Sequence, residues 1–287
     1  MKPMAETMKK SGHRIRYKGF SLVEVMISIT LGLILMIAIV SIFSGIRAGQ
    51  NIQDGLTHVQ EDGRIAIQLM SRELRNAGYR KPVWIEPQIG YFPITNGSLE
   101  GASGANDTLQ LMYQDDSNCR GVLNGNIDPE TGETEMGYKR ITFAVDDNEN
   151  LVWSCDYGLT TTNLVAGFTN QDVIAGVESF QLLIGIDTDF PPDFSVNSWT
   201  TADAIEPRTS VCLQSQTLCE GQGLLDDMAG GIPVAMKIGL LVASTENVDT
   251  QADTRSFSVL DVVVPSVNDR KMRKTFVATV NMRNLTL

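Results

Sequence analysis

The chain has 287 residues, 43% of them hydrophobic and 20% charged, a composition that excludes wholesale disorder. Its net charge of −11 is unevenly placed: residues 1–19 carry six bases against the single acid Glu6, and the rest carries 17 bases against 33 acids, a net of −16. So acidic a body matches phosphate backbones poorly, which excludes broad nucleic-acid binding.

The N-terminal bases Lys2, Lys9, Lys10, Arg14, Arg16 and Lys18 lead into an apolar run over residues 20–43, which holds one charge, Glu24. As a helix these 24 residues would be ~36 Å long, enough to cross a bilayer. A secretory signal would have an apolar region of only ~7–15 residues followed by a small-residue cleavage site. Neither feature occurs. Bases ahead of the run place the N-terminus in the cytoplasm and the body outside. A carboxylate within such a run costs on the order of 2.5–3.5 kcal/mol, so Glu24 calls for a partner. Cutting the chain after Gly19 would create one in the α-amino group of Phe20. In a bundle of such helices, the carboxylate of one subunit could then neutralise the amine of its neighbour and set axial register.

Gly19-Phe20-Ser21-Leu22-Val23-Glu24, followed by the long apolar helix, resembles the class III signal of type IV pilins and type II secretion pseudopilins. The resemblance implies that residues 1–19 are a prepilin leader. It also implies that a prepilin peptidase cuts between Gly19 and Phe20 and N-methylates Phe20, and that Glu24 serves in assembly. Many such proteins carry a proline partway along the membrane segment, whereas none stands here between Phe20 and Pro82.

Over residues 44–80 the pattern becomes amphipathic. Ile52, Leu56, Val59, Gly63, Ala66, Met70, Leu74 and Ala77 recur at spacings of three and four, with Arg64, Arg72, Glu73 and Arg75 largely outside that stripe. Gly45, Gly49 and Gly55 predict a bend or loosened stretch. Ala77-Gly78, with Pro82 close behind, predicts the helix end. From Glu61-Asp62-Gly63-Arg64 through Arg72-Glu73-Leu74-Arg75-Asn76-Ala77-Gly78-Tyr79, the segment resembles the stalk-to-body signature of PilW-family minor pilins.

Residues 81–287 read as a β-rich head, with strands expected at 108–113, 140–145, 151–155, 177–186, 234–243, 257–264 and 275–282. Asp146-Asp147-Asn148-Glu149-Asn150 reads as a hairpin loop between two of them. Residues 177–185 and 276–284 again resemble PilW-type segments. The long polar stretch 187–231 is expected to be an insertion, either a stapled loop or a presented surface. The expected fold is α+β: a long N-terminal helix, with a membrane half and an amphipathic half, packed on an antiparallel β-rich head.

Four cysteines lie beyond residue 118. Cys119–Cys155 and Cys212–Cys219 are the favoured pairs because each closes a loop within one region, although four cysteines allow three pairings. No C-x-x-C occurs, and His58 is the one histidine beyond the leader, so zinc lacks ligands and histidine-assisted catalysis lacks a base. Asn124-Gly125-Asn126-Ile127-Asp128-Pro129-Glu130-Thr131-Gly132-Glu133 alternates oxygen ligands as calcium loops do. Its glycine placement and Pro129 break the EF-hand pattern, so it reads as an acidic turn. Gly221-Gln222-Gly223 lacks the third glycine of a dinucleotide fingerprint. No cofactor or enzymatic activity is expected, with calcium at the acidic turn the weaker alternative. The resemblance implies a minor pilin acting in initiation or at the tip of a type IV pilus. Its partners would be other minor pilins, the major pilin, the prepilin peptidase and an inner-membrane assembly platform. A type II secretion pseudopilin and a pilus-tip adhesin are the alternatives.

Overall fold

The computed structural model describes residues 19–79, 105–123, 132, 136–161, 163–189, 193–201 and 232–284. Two compact units divide the chain, residues 1–49 and 50–287, and one helix, α1 (Leu22–Asn76), contributes to both. Gly45, Gly49 and Gly55 do not interrupt it, contrary to the loosened stretch they predict. Each costs about 1 kcal/mol relative to alanine, but a nucleated helix propagates across isolated weak positions. Gly55 also has a packing role. A Cβ there would lie 2.7 Å from Val248 Cγ2, so glycine lets that side chain reach the helix backbone.

The amphipathic stripe buries much as its spacing predicts. Val59, Gly63, Ala66, Met70, Leu74 and Ala77 are buried, with Ile52 and Leu56 half-buried at its start. A Cβ on Gly63 would run into the Phe276 ring, so this glycine is the notch that seats the aromatic. Glu73 departs from expectation. It is 4% exposed and accepts a 2.7 Å hydrogen bond from the Tyr113 hydroxyl on one oxygen and bonds from Arg72 on the other. Burial, followed by the Glu73 charge, pushes the Tyr113 phenol well above its ordinary range, so it stays a donor. The helix stops at Asn76, with Gly78 at φ 77°, as the glycine signal predicts. Asn284 donates to the carbonyls of Arg75 (2.8 Å) and Ala77 (3.4 Å), satisfying acceptors that a helix end leaves open.

β1 (Leu109–Asp115), β2 (Gly137–Val145), β3 (Leu151–Gly158) and β4 (Val165–Ile174) form one antiparallel sheet in that order. β5 (Val177–Asp187), β6 (Ser198–Thr200), β7 (Ile232–Ala243), β8 (Phe257–Val259), β9 (Val262–Val264) and β10 (Arg273–Asn281) complete the described strands. The second sheet runs β10-β7-β5-β6, and β8 pairs with β9 as a hairpin. The continuous strand expected over 257–264 is thus two short ones, turning at Leu260, which sits at φ 52°. β4 and β6 carry no sequence expectation. The first part of the 187–231 stretch therefore contains a strand.

Both sheets share one core with α1: Phe143, Leu109 and Leu111 from the first, Phe180, Met236, Ile238 and Leu240 from the second, and Met70 and Leu74 from the helix. β7 is largely apolar on both faces, with Lys237 the exception, because both are covered. On one face lie Met236, Ile238 and Leu240, and on the other Gly239 sits under Leu260 and Val259 of the hairpin.

Arg273 at the start of β10 is a buried cation, its side chain 3% exposed. It donates to Glu178 of β5 at 2.7 and 2.8 Å and to Asp269 at 2.6 and 2.7 Å. The guanidinium holds the Asp269 carboxyl below the usual carboxylate range. Because that folded-state pKa is lowered, the pair stabilises above the unfolded value of about 3.9, and the contribution is lost as pH falls through the folded value. Arg273→Met should therefore cost about 1.5–3 kcal/mol near neutral pH, since it removes the charged hydrogen bonds to the partly buried Glu178 and Asp269. Chemical denaturation across pH should show the gap between variant and parent narrowing in acid.

Candidate functional site

The residues expected to carry function stand at the start of α1. Gly19 and Phe20 precede the first helical turn and are exposed, Phe20 by 81%. Glu24 lies in the first turn, where a carboxylate interacts favourably with the helix dipole. Among the described residues it makes no ion pair. From Phe20 to Ile46 the large apolar side chains are 45–81% exposed. The most apolar 18-residue window has a mean hydropathy of 2.8, and by length and composition this helix is able to cross a membrane.

Three hydroxyls of this segment are matched to such a setting. Ser28 donates to the carbonyl of Glu24 (2.7 Å), Thr30 to that of Ile27 (2.8 Å), and Ser44 to that of Ser41 (2.9 Å). A hydroxyl bonded within its own helix asks nothing of a surrounding apolar medium. The surface is chemically suited to lipid or to other apolar helices.

Cys119 and Cys155 are joined in a disulfide. It ties β3 to a tight turn in which the Asn118 side chain accepts from the backbone N–H groups of Arg120 and Val122. Cys119 also packs over Gly167 of β4, where a larger residue would collide with it. Cys212 and Cys219 lie outside the described residues, as do Gly221–Gly223 and almost all of the acidic turn at 124–133. One acidic group within the described residues was missed from sequence: the carboxylates of Asp187, Asp189 and Asp193 approach within 4.8 Å of one another. Asp187 accepts from the N–H groups of Asp189 and Phe194, and Asp193 from the N–H and hydroxyl of Ser195. These are the bonds of a polar turn, and they compete for the oxygens an ion would need.

The family model described as Type IV Pilus-assembly protein W matches residues 143–284, and the prokaryotic N-terminal methylation motif matches residues 14–40. Over residues 143–284 the chain is PilW-like. The first match covers part of β2 and all of β3 to β10, and the second brackets Gly19, Phe20 and Glu24. Residues 61–79, the stalk signature, fall outside both. A solved type IV-like pilin from Thermus thermophilus shares 15% identity at a TM-score of 0.44, covering 82% of this chain and 97% of its own. No curated protein matches the chain.

In this pilin-like head the disulfide closes a loop across a sequence separation of 36. Chain-entropy arguments give such a closure about 4 kcal/mol. The Cys119→Ala/Cys155→Ala double variant should lose stability on that order in chemical denaturation, without loss of helix signal in far-UV circular dichroism.

Proposed function

We propose that the protein is a minor pilin whose leader is removed between Gly19 and Phe20 and which polymerises through the first half of α1. The observation that carries this reading is the uncovered apolar surface from Phe20 to Ile46, bearing a lone carboxylate, Glu24, in its first turn. Membrane anchoring and a part in pilus assembly follow from the methylation motif, the apolar helix and the family. On our reading the helix first sits in the inner membrane with its N-terminus cytoplasmic and its head periplasmic. It then leaves lipid for a bundle of like helices, where its apolar face is reburied. The α-amine of a neighbour's Phe20 would neutralise Glu24 there, which lipid alone does not do. The partners are then other minor pilins and the major pilin, reached through the prepilin peptidase and the assembly platform. The head contributes the choice of neighbour, and we assign it no catalytic role.

Mass spectrometry of the mature chain should find an N-methylated Phe20. Glu24→Val should leave the subunit in the membrane and reduce surface pili by tenfold or more, since the lost contact, at 1.4 kcal/mol per decade, exceeds one decade. An intact Met1 in the mature chain, or normal piliation with Glu24→Val, would count against the reading. The size of the head supports a place at the tip or in the initiating complex instead of the shaft. Quantitative immunoblotting of sheared pili should then find far less of this protein than of the major subunit. Equal amounts along the filament would overturn the tip assignment.

A further inference from the structure

Arg47 is the one base between Lys18 and Arg64, so the apolar run is followed by a single cation and then by the acids Asp54, Glu61 and Asp62. Its guanidinium carbon lies 4.3 Å from the centroid of the Phe43 ring. Helical side chains tilt toward the N-terminus, which brings Arg47 back over the turn that Phe43 occupies. The charge therefore stands at the level of Phe43, on the last part of the apolar surface. Phe43 is 53% exposed beside it. No ion pair occupies Arg47 among the described residues.

We propose that Arg47 and Phe43 form an interfacial anchor that binds lipid phosphates in the leaflet on the head side and sets how deep α1 sits. Three features support this. From the helix start at Leu22 to Phe43 the rise is roughly 32 Å at ~1.5 Å per residue, close to the ~30 Å hydrocarbon core. Arg47 and Phe43 thus fall at the far edge of a span that holds Glu24 within it. An aromatic ring carrying a guanidinium suits the headgroup boundary, where one end is apolar and the other faces phosphate. The acids beyond Arg47 are repelled by an anionic lipid surface, which leaves Arg47 as the local attraction. A plain solvated arginine would be equally compatible with the cation–ring contact, but it would have no reason to match the span. The inference rests on membrane anchoring alone and is independent of polymerisation.

The test uses the full chain carrying Ile42→Trp in phosphatidylcholine–phosphatidylglycerol vesicles whose acyl chains are brominated near the headgroup or deep in the chain. Trp84, Trp153 and Trp199 are common to the parent without Ile42→Trp, so the difference isolates position 42. With Arg47 present, headgroup-proximal bromines should quench best. Arg47→Leu should shift the best-quenching depth inward by about 5 Å, one helical turn, while Arg47→Lys should hold it nearer the surface. An unchanged depth in Arg47→Leu would overturn the anchor, and if pili are lost as well it would reassign Arg47 to a contact between subunits. Failure of the parent to float with vesicles would overturn the anchoring itself, and flotation alone distinguishes that result.

Discussion

Everything about this chain depends on an apolar surface that it does not cover. Between Phe20 and Ile46 the large aliphatic and aromatic side chains keep roughly half or more of their area exposed. Fully burying one such side chain is worth about 1.5–3 kcal/mol. A handful together outweighs the 5–15 kcal/mol that holds a typical domain folded. Water is therefore not the medium of this segment. A bilayer serves, and so does a bundle of similar helices, because both present hydrocarbon and require the helix backbone to satisfy itself.

The second half of the same helix is treated in the opposite way. Gly55 admits Val248, Gly63 seats Phe276, and Met70 and Leu74 enter the common core of both sheets. Glu73 bonds Tyr113 of β1, the Gly78 amide bonds the Met112 carbonyl, and Asn284 beyond β10 caps the last turn. These ties come from strands far apart in sequence and are distributed from Gly55 to Gly78. The head cannot shed residues 55–78 without losing its core, so this half of α1 belongs to the folded body. A helix built this way serves as anchor and structural core at once, with the division falling between two stretches of one element.

The helix was legible because its signals are local. A long apolar run, a three-and-four stripe and a terminal Ala-Gly each act within a turn or two. Most strands were legible because β-branched residues cluster in them. β4 was not, since Val165-Ala166-Gly167-Phe168-Thr169-Asn170-Gln171-Asp172 has neither alternation nor strong β-propensity. It is held instead by pairing to β3 through several register shifts. Glu73 was misjudged for a related reason: its charge argues for solvent, and only the Tyr113 hydroxyl, 40 positions away, makes its burial tolerable. Gly55 shows the same limit. As an isolated residue it predicts weakness, and as a contact point it lets Val248 reach the helix backbone. The start of the chain was legible as a motif, because the pattern from Gly19 to Glu24 is continuous in sequence and falls within the methylation-motif match at residues 14–40.

That adjacency also suggests why removal of the leader and assembly would be coupled. The helix dipole favours a carboxylate in the first turn by about 0.3–1 kcal/mol. Placing one among apolar neighbours costs about 2.5–3.5 kcal/mol. The dipole alone leaves a deficit, which a nearby cation can remove. Before cleavage the nearest base is Lys18, six positions ahead of Glu24 on the leader. Cleavage after Gly19 would remove that base and put the α-amine of Phe20 in its place. Within one chain the amine is fixed at its own helix end, whereas in a bundle the axial offset of a neighbour selects which amine meets which carboxylate. On this reading the leader does more than address the chain. Its loss would leave a carboxylate and an amine that partners in other subunits could satisfy.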